Sequence, residues 1–415
     1  MKVFKFGGAS VKDADGVKNV VRVLKHEGYH NTLIVVSAMG KMTNAFENIV
    51  AAYCYKQHNL NSSIEFVRDF HLTIINALFS DKNNPIFLEL EITLGQLSGF
   101  FISNKKKDYN FIYDQVVGFG ELLSTKIISA YLKEQQIENN WIDVRDFIKT
   151  TAHFRDAQVN WEVTCANISQ LNTANLYITQ GFLGATNTGE TTTLGREGSD
   201  FSAAIFAYCL QANSLTIWKD VDGVLNADPR FFESTTLLNQ ISYHEAIEMA
   251  FYGASVIHPK TLKPLENKNI PLYVRSFYNL DLKGTTVSKG YDLVPETPCF
   301  IVKKDQILVS IAAVDFSFMV EHNLSHIFKI LHDFKLKVNL IQNSALSFSV
   351  CIEDKFGNFQ DFLEELTKKY KVSYFKAVNL YTIRHATKKS IATIEQKGKV
   401  LLKQVTKGTV QVIME

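Results

Sequence analysis

"KVFKFGGASVKDADGVKNVVRVLKHEGYHNTLIVVSAMG", residues 2–40, changes periodicity twice. Residues 2–6 read as a short strand that stops at Gly7-Gly8. Residues 13–27 place Val17, Val20, Val21 and Leu24 on one face, the 3.6-residue period of an amphipathic helix. "NTLIVVSAMG" then runs apolar over a strand's length and ends at Ser37 and Gly40. A strand without polar alternation is buried on both faces. Strand, glycine turn, helix, strand therefore predicts a βαβ unit in a parallel sheet.

The alternation continues outward. Helical patterns are expected at 42–58, 60–79, 86–104, 119–135, 161–174, 199–211, 242–252 and 260–268. Between them lie strand candidates at 141–148, 175–184, 214–220 and 270–277. Residues 1–285 thus predict an α/β three-layer sandwich with a mostly parallel central sheet. Near 290 the texture changes, and 299–376 follows a βαββαβ succession, a ferredoxin-like α+β module. Residues 377–415 offer a second, shortened module whose sheet the strand at 299–304 is free to join.

A chain of 415 residues exceeds what one core usually supports. Lys plus Arg (44) nearly balances Asp plus Glu (42), so no global field draws nucleic acid or membrane, and neither partner is expected. The start lacks a secretory signal pattern and no uninterrupted apolar run reaches the length of a membrane span, so a cytoplasmic location is expected. Five cysteines (54, 165, 209, 299, 351) lack C-x-x-C spacing and read as free thiols.

The chemistry-bearing residues cluster after strands. In "KFGGAS" (5–10) glycines expose backbone N–H groups and Lys5 adds a charge, which suits either a phosphate or a plain tight turn. In "SAMGKMTN" (37–44), Ser37 and Thr43 fit an anion, or Thr43 caps the next helix. Glu121 in "GFGELLS" (118–124) suits a helix start or a substrate ammonium. "TLGREGSD" (193–200) combines the carboxylate-binding fork of Arg196 with Ser199 and Asp200 at a helix mouth, where a cap is the plainer alternative. Asp200 beside an anion requires Lys5 or Mg²⁺ to relieve repulsion.

"WKDVDGVLNADPRF" (218–231) gathers Lys219, Asp220, Asp222, Asp228 and Arg230 without the EF-hand order, which favours a nucleotide edge over calcium. In "GASVIHPKT" (253–261), His258 reads as a turn residue and Lys260 as a phosphate candidate. No nucleophile elbow and no zinc-type His/Cys cluster occurs. Glycines, hydroxyls and isolated cations at strand ends are the equipment for holding phosphate.

These segments, with "VRSF" (274–277) and "GTTVS" (284–288), resemble in order and spacing the aspartate kinases, in their monofunctional form, within the amino-acid kinase family. The resemblance implies transfer of the ATP γ-phosphoryl group to the side-chain carboxylate of L-aspartate. That reaction opens the route to lysine, threonine, methionine and, in bacteria, diaminopimelate. Lys5 would stabilise the transferring group and Asp200 organise the centre, while Ser37, Thr43, Glu121, Arg196 and Ser199 hold aspartate. Lys5, Gly7, Gly8, Lys219, Asp220, Leu225, Arg230 and Lys260 would hold ATP, with Mg²⁺ arriving on its phosphates and no protein metal site or tightly bound cofactor.

The C-terminal modules would be of ACT type, joining subunits into a homodimer or larger homo-oligomer. They would take lysine or threonine through Phe318, Met319, Val320, Asn339 and Gln342. The chain departs from the family pattern at Ser255, where "GAKVLHP" has lysine, at Leu225 for an aromatic residue, at Lys219 for threonine, and in its short last module. Two other readings stay open: an amino-acid kinase acting on a different carboxylate, and a degenerate kinase kept as a sensor.

Overall fold

The computed structural model describes residues 1–415 apart from 255, 256, 291 and 316. It forms two units. The first comprises Met1–Val224, Leu237–Ile247 and Val256–Pro295; the second comprises Leu225–Thr236, Glu248–Ser255 and Glu296–Glu415.

In the first unit the strands are β1 (Lys2–Phe6), β2 (Thr32–Val36), β3 (Asn140–Trp141), β4 (Leu176–Gln180), β5 (Leu183–Ala185), β6 (Thr191–Thr193), β7 (Ser214–Lys219), β8 (Gln240–Ser242), β9 (Leu272–Ser276) and β10 (Thr285–Ser288). Eight of them form one sheet in the order β3-β4-β2-β1-β7-β9-β10-β8, parallel except between β9 and β10. β5 and β6 make a separate hairpin.

The first helices are α1 (Ala14–Glu27), α2 (Met42–Cys54), α3 (Leu60–Leu78), α4 (Pro85–Ser103), α5 (Tyr109–Val117) and α6 (Phe119–Glu134). After them come α7 (Val144–Phe147), α8 (Trp161–Ile168), α9 (Gly198–Cys209), α10 (Tyr243–Tyr252) and α11 (Pro259–Lys268). Phe4, Phe6, Ile34, Val36 and Trp218 enter a core with Val20 and Leu24 of α1, Phe46 of α2 and Ile127 of α6. The pleat sends Val3, Lys5, Val35 and Ile217 to the other face, where they are also buried and α9 packs. This is the expected sandwich.

Register brings the strand ends to one level. Phe6 pairs with Val36 and Trp218, and Val36 with Gln180. The loops beyond them are close enough to require glycine. A Cβ on Gly8 would stand 2.7 Å from the Ala38 carbonyl oxygen, and one on Gly181 would stand 2.5 Å from Ser199 Cβ.

Several elements differ from expectation. Instead of a strand over 141–148, Asp143 accepts the Arg145 N–H and starts α7. The strand expected at 175–184 breaks at Phe182, whose φ is +70°. α4 has the length and mean apolarity of a membrane span, but Glu89 and Glu91 interrupt it, and its Ile86, Leu90, Leu94 and Leu97 pack into the core.

The expectation of five free thiols is also corrected, because Cys165 on α8 and Cys209 on α9 form a disulfide. Forty-four residues separate them, so no local spacing announces the pair. Closing such a loop in the unfolded chain stabilises by about 4 kcal/mol on chain-entropy grounds. Reduction, or Cys165→Ser with Cys209→Ser, is expected to lower the melting temperature by several degrees in a thermal scan.

The second unit holds β11 (Cys299–Ala313), β12 (Lys337–Asn343), β13 (Ser347–Glu353), β14 (Tyr370–Arg384), β15 (Val400–Thr406) and β16 (Thr409–Met414). Its helices are α12 (Glu321–Asp333), α13 (Phe359–Thr367) and α14 (Lys388–Glu395). One antiparallel sheet runs β12-β13-β11-β14-β16-β15. β11 and β14 each serve two halves: Ile307–Ala312 pairs with β13, while Cys299–Lys303 pairs with Leu380–Arg384, beside β16. Register shifts around Gln306, with φ of +56° at Asp305 and +54° at Ala377, mark the change between halves. Both halves follow the ferredoxin-like strand order of ACT-type modules.

Among the expected effector residues, Phe318 and Gln342 are exposed, Val320 is 40% exposed and Met319 is buried. Both ends of the Asn339 amide are engaged within the sheet: it accepts from Lys303 Nζ (2.8 Å) and donates to Gln306 Oε1 (2.6 Å).

Candidate active site

β1, β2 and β7 end side by side, and α9 begins above them. Lys5, the penultimate residue of β1, points to the α9 face. Its Nζ lies 2.6 Å from Asp200 Oδ1, with only 10% and 5% of the two side chains exposed. Lys219, closing β7, brings its Nζ to 4.0 Å from Asp200 Oδ2. Glu197, in the left-handed region at φ +52°, precedes α9 and leaves its first turn without a side-chain cap. Ser199 and Asp200 therefore lie inside that turn and are not its caps. The Gly198 and Asp200 N–H groups of that turn donate to the carbonyls of Gly195 and Glu197 (3.1 Å each), and the positive end of the helix dipole there favours an anion.

Glu121 occupies the first turn of α6. Its Oε1 accepts the Ala38 N–H (3.2 Å), and its Oε2 has no partner. Burial pushes its pKa up to about 8. With Lys5, Ser37, Thr43, Ser199, Asp200 and Lys219 it lines a cavity of about 330 Å³. One wall is thus a carboxylate lacking a cation; another carries two ammonium groups.

A model of the amino acid kinase family matches residues 1–276. The chain belongs to the amino acid kinase family. It is 31% identical over 364 residues to bifunctional aspartokinase/homoserine dehydrogenase 2 of Arabidopsis thaliana, covering 84% of this chain and 39% of that one. It is 30% identical to lysine-sensitive aspartokinase 3 of Escherichia coli, covering 85% and 78%. The chain spans about two fifths of the length of the first curated relatives it matches. Among solved structures, E. coli aspartokinase III with lysine and aspartate superposes at a TM-score of 0.83 with 26% identity, over 100% of this chain and 96% of that one. The same enzyme with aspartate and ADP gives 0.81 and 25%, over the same shares.

In this amino acid kinase the remaining sequence candidates are dispersed. Gly7 lies beside Lys5, and a Cβ there would stand 3.3 Å from Nζ. Arg196 and Asp220 are exposed and absent from the cavity wall. Lys260 was expected at phosphate, but its Nζ pairs with Asp156 (2.5 Å). It lines a different cavity beside Trp161 and Tyr208, because the start of α11 faces the 156–161 segment. Leu225 and Arg230 belong to the second unit, where Arg230 grips Asp228 (2.5 Å). Ser255 lies outside the described residues.

Phe182 and Glu197 line the cavity without having been singled out as site residues. Their positive φ angles place them there, and neither residue type announces such a conformation. Asp114 on α5 was missed as well. It accepts the N–H groups of Arg155 and Thr193 (2.9 Å each) and the Thr193 hydroxyl (2.8 Å), although burial raises its pKa to about 6. Thr193 leads directly into the 194–200 loop, so Asp114 is a positioning residue. Asp114→Asn turns one acceptor into a donor facing donors. A loss of about 1–3 kcal/mol of stability is expected, with a larger fall in kcat/KM than in ATP affinity.

Proposed function

We propose that the chain is an aspartate kinase: it transfers the γ-phosphoryl group of ATP to the side-chain carboxylate of L-aspartate, giving 4-phospho-L-aspartate and ADP. The observation that carries this is the cavity-lining, fully buried Glu121 with an unpartnered oxygen, opposite Lys5 and Lys219. It offers a place for an ammonium at one end and for phosphate at the other. The E. coli enzyme of like fold is described with aspartate and ADP, which supports the same pair of substrates here.

Glu121 takes the substrate ammonium, Thr43 and Ser37 hydrogen-bond its carboxylates, and Arg196 closes on the α-carboxylate from its exposed position. The side-chain carboxylate is already ionised at neutral pH, with an ordinary pKa of about 3.9, so no general base is required. One carboxylate oxygen attacks the γ-phosphorus. The bond from that phosphorus to the bridging oxygen breaks, and ADP leaves with the electron pair. Lys5 and the N–H groups of α9 neutralise charge on the transferring group, and Asp200 fixes the Lys5 ammonium.

Three carboxylate, imidazole or thiol groups do not converge as a metal site among the described residues. The donors present fit Mg²⁺ carried by the nucleotide, which Asp200 would help hold and which would neutralise phosphate charge. The second unit, of ACT type, would join subunits and sense lysine or threonine; lysine is the ligand described for the E. coli relative of like fold.

A coupled ADP-release assay with Mg-ATP across a panel of amino acids tests the reading. Turnover on L-aspartate alone is expected. Turnover on glutamate instead would make it another amino-acid kinase, and none on any amino acid would leave a sensor. Adding lysine or threonine separately tests feedback.

A further inference from the structure

The first unit contains a second cavity, between α8, α9 and α11. It measures about 610 Å³ and, among the described residues, shares no lining with the cavity of Lys5, Glu121 and Asp200. That volume lies in the range of small-molecule sites. α8 and α9 supply an aromatic wall. Trp161, 36% exposed, meets the half-buried Tyr208 edge to face at 5.0 Å between ring centroids, and Phe201 at 6.3 Å. The disulfide ties this wall together, since Cys209 follows Tyr208 directly and Cys165 lies one helical turn after Trp161. Rings already held in place cost little further ordering when a ligand stacks on them.

α11 supplies the complementary chemistry. Lys260 and Lys263, three residues apart on that helix, both line the cavity. Asp156 neutralises Lys260 at 2.5 Å. Lys263 is exposed and has no ion-pair partner among the described residues. The Lys268 ammonium stands 5.1 Å from the Tyr208 ring centroid and adds positive potential beside the aromatic wall. The lining thus carries one unbalanced positive charge next to flat apolar surface. A cation would be repelled there, and a neutral apolar molecule would leave the charge unused. An acid built on an aromatic ring matches both walls, ring against ring and carboxylate against ammonium.

We propose that this cavity binds a small planar aromatic monocarboxylate, whose ring stacks on Trp161 and Tyr208 and whose carboxylate pairs with Lys263. The site is separate from the phosphoryl-transfer reading and stands without it. Its ligand rests against the 156–159 segment, where the Ala157 N–H donates to the Thr193 carbonyl (2.9 Å) at the entry to the 194–200 loop.

Calorimetric titration of the oxidised full chain with indole-3-acetate tests it, with tryptamine as the probe lacking the negative charge and acetate as the probe lacking the ring. Indole-3-acetate is expected to bind once per chain, and both other probes roughly tenfold or more weakly. Trp161→Ala and Lys263→Met are each expected to weaken it roughly fivefold or more, whereas Trp161→Phe and Lys263→Arg keep it within about threefold. Glu121→Gln, in the catalytic cavity, should leave the affinity unchanged. The proposal is overturned if indole-3-acetate does not bind, if tryptamine binds as tightly, or if Lys263→Met and Trp161→Ala bind like wild type.

Discussion

Lys5→Met is expected to lower kcat by roughly 10³-fold, the scale on which preorganised donors and cations act in phosphoryl and acyl transfer. Aspartate affinity should stay near wild type, because the proposed ammonium partner, Glu121, lies on α6, away from β1. Methionine keeps the buried stem of Lys5 and removes only the charge. That leaves Asp200 without its 2.6 Å partner, and breaking a buried pair from one side costs roughly 3–5 kcal/mol. Lys219 offsets part of this from 4.0 Å. A double variant, Lys5→Met with Asp200→Asn, should recover stability without recovering turnover. Single-turnover rates beside thermal melts separate the two effects, and an unchanged kcat would remove Lys5 from the chemistry.

Glu121→Gln is expected to abolish measurable aspartate binding and yet to melt higher than wild type in alkaline solution. The carboxyl has its pKa raised to about 8 by burial, against an ordinary value near 4.5. A folded pKa above the unfolded one means that the native state holds the extra proton between those values. Stability is therefore lost as pH rises through that window, and above about pH 8 an uncompensated charge remains buried. Glutamine removes that loss, so the difference in melting temperature should widen from pH 5 to pH 8.5. The same carboxyl must ionise to take an ammonium. Aspartate binding at pH 7 should then release close to one proton, visible as a dependence of calorimetric heat on buffer ionisation enthalpy. A wild type that releases none would place the ammonium elsewhere.

Much of the architecture was legible because burial writes itself into periodicity. The unalternating "TLIVV" of β2 and the one-sided α1 declare a parallel sheet without any long-range information. The glycines at 7–8 and the hydroxyl at 37 announce loops beyond strand ends, while Thr43 falls inside α2. α7 and the break at Phe182 were not legible, since a capping aspartate and a positive φ override an apolar run. Asp114 lies on α5, a helix not expected from the sequence, and its three hydrogen bonds exist only because β6 and the 155 segment come to it. Lys260 shows the reverse error: the right charge near the right motif, turned by its helix toward Asp156.

The order of residues alone determined the βαβ opening and supplied groups whose chemistry suits phosphate and carboxylate, because period, composition and side-chain chemistry are local properties. Tertiary structure decided which of them share a cavity, that Glu121 keeps an oxygen without a partner, and that Asp200 stands between two lysines. It also decided that Cys165 meets Cys209. Each is a distance between segments far apart in the chain, set by strand register and helix packing, and no local pattern encodes it.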